Sequence, residues 1–323
     1  MSFRLFKHSC NWLMRAIFML CAALAMLAAL IVIVMRYWLL PDIERYHDKI
    51  TASIANAIGS PVTIAKIEGD WRGLQPSIRL SEVRILDAQK QPAISLPAIS
   101  TRLSWKTFLV GELRLASIEL DRPELMINRD RMGKIFVGGI AVSTQGNDSQ
   151  LSNWLLHQPH IVVSNGLLVW LDEQRDAPPL VMQQVNMRIE NSHMQHRIAV
   201  RALPSEELAT PLDIRGEFTG NDVAKLSEWR GQIFTQLEYT DVSAWKPWLN
   251  LPQEFSRGRG ALRGWWGIEG GKLAHITADM DLQDVAMKLG DDVPEMGLHE
   301  LKGRAAWRSI DGNLEISTKN LAM

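Results

Sequence analysis

The stretch GELRLASIELDRPELMINRDRMG, residues 111–133, carries the pattern that decides the fold of this chain. An apolar residue stands at nearly every second position, which is the period of a β-strand with one buried face. The apolar positions change parity between Leu115 and Ile118, so the pattern predicts a bulge or a strand end near Ala116 and Ser117. What covers the apolar face of these strands decides the class of protein.

The same period of two recurs on both sides of this stretch. ISTRLSW, residues 99–105, places Ile99, Leu103 and Trp105 on one face. Pro123 interrupts the pattern, because proline cannot donate to a central ladder, and Leu125 resumes it. Many further strands with glycine- and aspartate-rich turns are predicted, with IDGN at 310–313 the clearest hairpin signal. The prediction is a mainly β protein with few short helices.

The N-terminal segment AIFMLCAALAMLAALIVIVM, from Ala16 to Met35, is an uncharged apolar run. A membrane-spanning helix needs about 20 such residues. Arg4, Lys7 and Arg15 precede the run, and this basic flank favours an N-terminus on the cytoplasmic side. The segment predicts a single transmembrane helix, with the rest of the chain on the far side of the membrane.

Three other interpretations of this segment are weaker. A cleaved signal peptide needs a shorter apolar core and a small-residue cleavage site, which VMRYWLLPD, residues 34–42, does not offer. A lipoprotein site at Cys21 needs a small residue before the cysteine, and Leu20 is large. A core helix that is apolar on all sides is unusual in a soluble domain. A retained anchor is favoured.

A short amphipathic helix is predicted after the anchor, between Asp42 and Ile58. Steps of three and four relate Ile43, Tyr46, His47, Ile50, Ile54 and Ile58, which is the helical period. Asp42 can cap the start, and Gly59 followed by Pro61 is a stop signal. Two positions are open for it: on the membrane surface as a gate, or packed against the first strands. The packed position is favoured, and His47 on its apolar side is expected to be a core residue.

Composition excludes some classes of function. The chain has 323 residues, 46% of them hydrophobic and 22% charged, and a net charge of −1, which offers no bulk attraction to nucleic acid. The two cysteines, Cys10 and Cys21, lie near the N-terminus, so the body contains no disulfide framework.

Positive signals for catalysis or metal binding are missing from the sequence. The G-x-S-x-G, H-E-x-x-H, Walker and C-x-x-C patterns do not occur. His193 and His196 fall on a predicted strand, where they face opposite ways. Trp265 and Trp266 likewise point to opposite faces. The expectation is a protein that is not an enzyme, with no catalytic residues, no metal ligands and no cofactor.

Four parts of the chain resemble the AsmA-like family of bacterial envelope proteins, and most closely its YhdP branch. The first part is the anchor with its short helix. The others are GSPVTIAKIEGDWRGLQPSIRLSEVRIL (residues 59–86), LSWKTFLVGELRLASIELDRPELMINRDRMGKIFVGG (103–139) and DVSAWKPWLNLPQEFSRGRGALRGWWGIEGGKL (241–273). The resemblance rests on order and spacing, because none of these parts is a catalytic motif.

The resemblance implies an inner-membrane anchor, a periplasmic β-rich groove and a role in moving phospholipid toward the outer membrane. Residues 1–40 would form the cytoplasmic tip and the anchor, 41–142 the helix and first groove segment, and 143–323 a continued groove segment. Members of this branch are longer, so the chain is expected to be the N-terminal part of a longer protein. The candidate groove residues are Ile99, Leu103, Trp105, Leu115, Ile118, Leu120, Leu125 and Ile127.

Periodicity alone leaves the cover of the apolar faces open between a sandwich, a closed barrel and a curved antiparallel sheet that holds lipid. The leading hypothesis is therefore a lipid-binding or lipid-conducting protein, with phospholipid and the inner membrane as partners. A scaffold or assembly factor that binds other envelope proteins is the alternative. An anchored enzyme is the weakest hypothesis.

Overall fold

The computed structural model describes residues 2–73, 75–86, 92–105, 115–138, 140–142, 155–206, 208–249, 255–288, 294–310 and 313–322. The first residues of the expected second groove segment, 143–154, and the centre of the IDGN turn lie outside the described residues. So does the first part of the opening stretch, residues 111–114.

The N-terminal helix α1 runs from Ser2 to Val34 and continues into a π-helical turn, Met35–Leu39. The segment Met14–Leu39 has a mean hydropathy of 3.1, and its most apolar 18 residues are not buried in the protein. It contains the predicted span, and its apolar side chains face outward, as they would in lipid. The chain thus has one N-terminal apolar helix compatible with single-pass anchoring, among the residues described.

The predicted second helix forms in two parts: a 3₁₀ turn, Ile43–Tyr46, and helix α2, His47–Ile58. It ends as predicted, because Gly59 adopts a left-handed conformation (φ 77°) and its N–H donates to the carbonyl of Ala55. The predicted cap is wrong. Asp42 makes no capping hydrogen bond and instead pairs with Arg45 at 3.3 Å, because the chain enters through a 3₁₀ turn.

Seventeen strands, within the described part of the chain, form one sheet. Their bounds are β1 Val62–Thr63, β2 Lys66–Arg72, β3 Gln75–Leu86, β4 Pro92–Leu103, β5 Leu115–Asp121, β6 Glu124–Arg129, β7 Ile135–Val137, β8 Ile140–Val142, β9 His160–Asp172, β10 Ala177–Ser192, β11 Gln195–Leu203, β12 Leu212–Thr219, β13 Arg230–Asp241, β14 Phe255–Glu269, β15 Lys272–Met287, β16 Met296–Ile310 and β17 Asn313–Ala322. Short 3₁₀ turns at Val223–Glu228 and Val242–Trp245 complete the regular structure. The mainly β prediction is confirmed.

The sheet is antiparallel except at one seam. β2, β3 and β4 pair in order, β5 and β6 follow end to end beside β4, and β9 to β17 pair in sequence. β5 and β6 run parallel to β9, with Ile118 opposite Ile161 and Leu125 opposite Leu168. The prediction of an antiparallel sheet is confirmed, and the parallel pairing of β5 and β6 with β9 is an addition that the sequence did not indicate. Parallel pairing needs a crossover of about a dozen residues or more, and the chain between Arg129 and His160 is long enough.

Bulges keep the apolar side chains on one face of the sheet. Arg102 pairs with Ser117 and Leu103 pairs with Leu115, so Ala116 is the extra residue of the predicted bulge. The prediction of a bulge near Ala116 is therefore confirmed, and the parity change in the sequence does not turn Ile118 to the other face.

A second irregularity is a set of residues with positive φ angles at equivalent register positions of several neighbouring strands. A continuous row of register partners runs through four strands: Ser81, Ala98, Asp121 and Ser164. The residues that follow three of them, Glu82, Arg122 and Asn165, have φ angles of 50°, 49° and 54°. On β10, Gln184 (φ 48°) continues the line beside the pair Gly166–Val185. Because bulges bend the strands that carry them, this row marks a crease across the sheet.

Helix α2 packs on the apolar face at the start of the sheet. Ile50, Ile54 and Ile58 of the helix contact a core that contains Leu80 and Val83 of β3. Burying apolar surface contributes about 25 cal/mol per Å², so this contact fixes the helix to the sheet. Of the two positions considered for this helix, the packed one is confirmed.

Candidate functional site

One face of the sheet is uncharged along two complete rows of register partners, each crossing twelve strands. The apolar row consists of Leu80, Ile99, Leu120, Val163, Met187, Val200, Ile214, Thr235, Gly264, Ala278, Ala305 and Thr318. The isoleucine row beside it consists of Ile78, Thr101, Ile118, Ile161, Ile189, Ile198, Gly216, Ile233, Trp266, Ile276, Trp307 and Ile316. The face that carries both rows is called the apolar face below.

The opposite face, called the charged face, carries ion pairs between neighbouring strands. Arg72 and Arg102 both reach Glu119, at 3.0 and 3.4 Å. Further along the sheet, Arg304 pairs with Asp279 and Lys302 with Asp281, and the sheet also holds the pairs Arg197–Glu217 and Arg215–Asp213. These side chains are largely exposed, as expected of a face in water. The sheet is therefore amphipathic over its whole length.

The described residues cover only part of the apolar face. Near α2 the side chains are fully buried: Leu80 is 5% exposed and Val83 is 2% exposed. Along one edge, the turn Val242–Trp245 supplies a second cover, with Trp245 packed in a cluster around Leu180 and Leu208. Away from these two covers, from β11 to β16, the side chains of the two rows are only half-buried, whereas Leu282 and Leu301, which pack in a cluster with Val242 of the turn, are 2% and 4% exposed.

The predicted groove residues lie at the start of the sheet. Ile99, Leu103, Leu115, Leu120 and Leu125 all join the cluster under α2. The register places all five on one face of the sheet.

The other predicted residues frame that cluster. Leu103 and Ile118 are 6% and 7% exposed, which leaves little of their surface for a ligand. Ile127 pairs with Val137 and Trp170. Trp105 lies just beyond β4, with its ring edge-on to Trp71 at 6.2 Å.

Sequence reasoning missed the open part of the apolar face. Val200, Ile214, Met280, Ala305 and Trp307 lie there, on strands whose alternation was visible in the sequence. The sequence does not show what covers the apolar face. Helix α2 packs over the first strands, and only the fold shows which strands the helix leaves uncovered.

A buried ion pair closes one end of the parallel seam. Arg129 forms two hydrogen bonds with Asp172, and the guanidinium lies 5.9 Å from the centre of the Trp170 ring. Burial opposes ionisation of Asp172, but the hydrogen bonds and charges of Arg129 and Arg175 outweigh it and hold its pKa below the usual range. The Asp172 carboxylate thus has hydrogen-bond and charge partners at this end of the parallel seam.

The two histidines of HMQH do not form a site together. His193 lies in the turn between β10 and β11, whereas His196 is 3% exposed and stacks on Trp229 at 5.2 Å. The ring nitrogens of His196 hydrogen bond to Asn191 Oδ1 and to the carbonyl of Gly220, both at 2.8 Å. These contacts give His196 a structural role at the hairpin.

Trp265 and Trp266 point to opposite faces, as predicted. Trp265 lies on the charged face, 5.4 Å from Phe234 and 5.4 Å from the guanidinium carbon of Arg304. Trp266 lies on the apolar face in the isoleucine row and donates its indole N–H to Thr235 Oγ1 at 3.0 Å.

The anchor is attached directly to the first strand of the apolar face. Arg36 lies over the ring of Trp71 at 5.9 Å. A Cβ atom on Gly69 would lie 2.4 Å from the carbonyl oxygen of Leu40, so glycine is required where the chain leaving the anchor crosses β2. The two apolar rows therefore begin beside the end of the membrane helix.

Together these features define a class: a protein with one N-terminal apolar helix compatible with single-pass membrane anchoring, whose bulk is one long amphipathic β-sheet with an apolar face that the described residues leave partly open. The family model described as YhdP protein matches residues 1–323, and the chain belongs to this envelope-associated, AsmA-like family. No curated protein and no solved structure matches the chain.

Proposed function

We propose that this protein binds phospholipid acyl chains on its apolar face and conducts them between the inner and outer membranes of a bacterial envelope. The anchor holds it in the inner membrane with its N-terminus in the cytoplasm and its bulk in the periplasm. The observation that supports this most is the pair of uncharged rows across twelve strands. Family membership supports a lipid-transport function of this type.

The physical reason is the cost of exposing an acyl chain to water. At about 0.8 kcal/mol per CH₂, a chain of roughly 16 carbons costs on the order of 12 kcal/mol to expose. Twelve strands spaced by about 4.8 Å span roughly 50 Å. A lipid whose chains stay on the apolar face while its headgroup stays in water avoids most of that cost along this distance.

The attachment of the anchor supports an inner-membrane start for this path. Arg36 and Leu40 contact β2 directly, so the proposed lipid path starts beside the C-terminal end of the apolar helix. The partners are phospholipid and the inner membrane. Nucleic acid is not a partner, and no reaction is assigned to the protein.

An envelope scaffold remains the second candidate. Strand β2 pairs with β3 on one side only, among the strands described, and Lys66, Glu68 and Asp70 are exposed. An exposed strand edge can add a strand from another protein. On this candidate, a protein partner would replace lipid as the ligand.

Site-specific photo-crosslinking in cells tests the proposal. A photoreactive residue at Val200 or Ala305, in the apolar row, should capture phospholipid. The matched controls, Ala199 and Ala306, are the adjacent residues on the charged face and should capture none. Capture of a protein and no phospholipid at Val200 and Ala305 would reject lipid binding in favour of the scaffold.

A further inference from the structure

The indole of Trp266 lies flat against the sheet, over Gly264. A Cβ atom on Gly264 would lie 2.8 Å from both Thr235 Oγ1 and Trp266 Nε1, and 3.2 Å from Trp266 Cε2. Contacts under 3.0 Å essentially never occur for a real Cβ, so any other residue at this position would displace the ring together with the Thr235 hydroxyl to which it is hydrogen bonded. The space that glycine leaves is filled by the ring.

A hydrogen bond holds the ring in the same place. The indole N–H of Trp266 donates to Thr235 Oγ1 at 3.0 Å, and Thr235 is the register partner of Gly264 in the apolar row. A buried N–H without a partner costs about 1–3 kcal/mol. The bond therefore satisfies the one polar group of the ring at the surface of the sheet. The indole N–H does not face the open side of the sheet.

Phe218, two strands away, shows the same arrangement. A Cβ atom on Gly216 would lie 2.7 Å from Phe218 Cε2, and one on Gly231 would lie 2.5 Å from Phe218 Cδ1. Gly216 and Gly231 are its neighbours along β12 and across to β13. Large rings on this part of the apolar face thus lie over glycines and do not stand up from the sheet.

We propose that Gly264 and Thr235 are positioning residues that hold Trp266 flat, and that the flat ring keeps the apolar row passable for an acyl chain. This inference rests on the proposed function. A raised indole at β14 would stand across the apolar row between Val200, on β11, and Ala305, on β16. Lipid arriving from the anchor would then stop before β16.

The experiment compares lipid capture before and after Trp266, in cells, by photoreactive residues at Val200 and Ala305. In Gly264→Ala, capture at Val200 should remain while most capture at Ala305 is lost. Gly264→Ala/Trp266→Ala, which removes the displaced ring, should restore capture at Ala305. The matched control is Gly297→Ala, because a Cβ there meets nothing within 4 Å.

A spectroscopic readout follows the ring itself. With 5-fluorotryptophan incorporated, the ¹⁹F resonance of Trp266, assigned with Trp266→Phe, should shift in Gly264→Ala and stay in place in Gly297→Ala. If Gly264→Ala does not fold, Thr235→Val serves as the second variant: it removes the acceptor and should also shift the resonance and lower capture at Ala305.

The outcomes separate this inference from the function beneath it. A shifted resonance with unchanged capture at Ala305 would overturn the positioning role and leave lipid binding intact. No phospholipid capture at Val200 or Ala305 in the unaltered protein would reject the proposed function, and this inference with it.

Discussion

A single carboxylate on the apolar face should abolish lipid binding where the same carboxylate one residue away does not. Val200 is half-buried in the apolar row, and Ala199 lies exposed on the charged face. Val200→Asp would place an unpaired charge under an acyl chain. Ala199→Asp would place it beside its register partners Arg188 and Arg215, where it is paired.

The expected loss of lipid-binding free energy follows from the least costly way to accommodate the introduced carboxylate, which is its protonation. With an ordinary pKa near 3.9 and about 1.36 kcal/mol per unit, protonation at neutral pH costs about 4 kcal/mol. Because Val200 is partly exposed, the carboxylate can keep some water, so we expect a penalty of about 2–4 kcal/mol. Lipid occupancy should fall roughly 30- to 1,000-fold.

The assay is phospholipid co-purified per protein, measured by mass spectrometry after exchange into detergent, with circular dichroism to confirm that each variant folds. Val200→Asp should lose its phospholipid and Ala199→Asp should keep it. Equal lipid content in the two folded variants would refute the reasoning that the apolar face is the binding surface.

Three further outcomes are expected. Leu282→Ala, at a side chain 2% exposed, should lower the free energy of unfolding by about 2–5 kcal/mol, whereas Leu321→Ala, 39% exposed, should change it by less than about 0.5 kcal/mol in chemical denaturation. The hydrogen bond from His47 to the Ile64 carbonyl, helped by Asp48, raises the pKa of His47, so its stabilisation is full below its ordinary pKa and is lost as pH rises through the raised value. Between about pH 6 and pH 8 the thermal midpoint should fall further in the unaltered protein than in His47→Gln; equal slopes would contradict this. A periplasmic reporter fused after Lys49 should be active and the purified N-terminus should begin at or next to Met1; processing beyond residue 35 would exclude a retained anchor.

The local elements of this fold could be predicted because each depends on nearby residues. The anchor follows from its uncharged run, the end of α2 from Gly59, and the bulge at Ala116 from a parity change that no unbroken strand can accommodate. The 3₁₀ entry into α2 was missed, because Asp42 can either cap a helix or pair with Arg45, and tertiary packing decides between them.

The arrangement of the strands needed the structure. Alternation of apolar and polar residues shows that a strand has an apolar face, but it does not show which strands are neighbours. The parallel pairing with β9 could therefore not be predicted from residues 115–129. The cover of the apolar face was missed for the same reason. The predicted side chains, such as Leu103 and Ile118, are buried near α2, whereas Val200 and Ala305 stay open because no helix of the described chain reaches them.

The crease through Glu82, Arg122 and Asn165 has a consequence for how such a protein can change in size. Each of the strands in this crease carries its own bend, at a cost of about 1 kcal/mol or more for each non-glycine residue at positive φ. The length of the strands and the position of the crease therefore determine the cross-section of the sheet. The number of strands determines its reach, which is the distance that the sheet spans across its strands. Adding strands would lengthen the sheet without repacking those already present, so reach and cross-section can evolve independently.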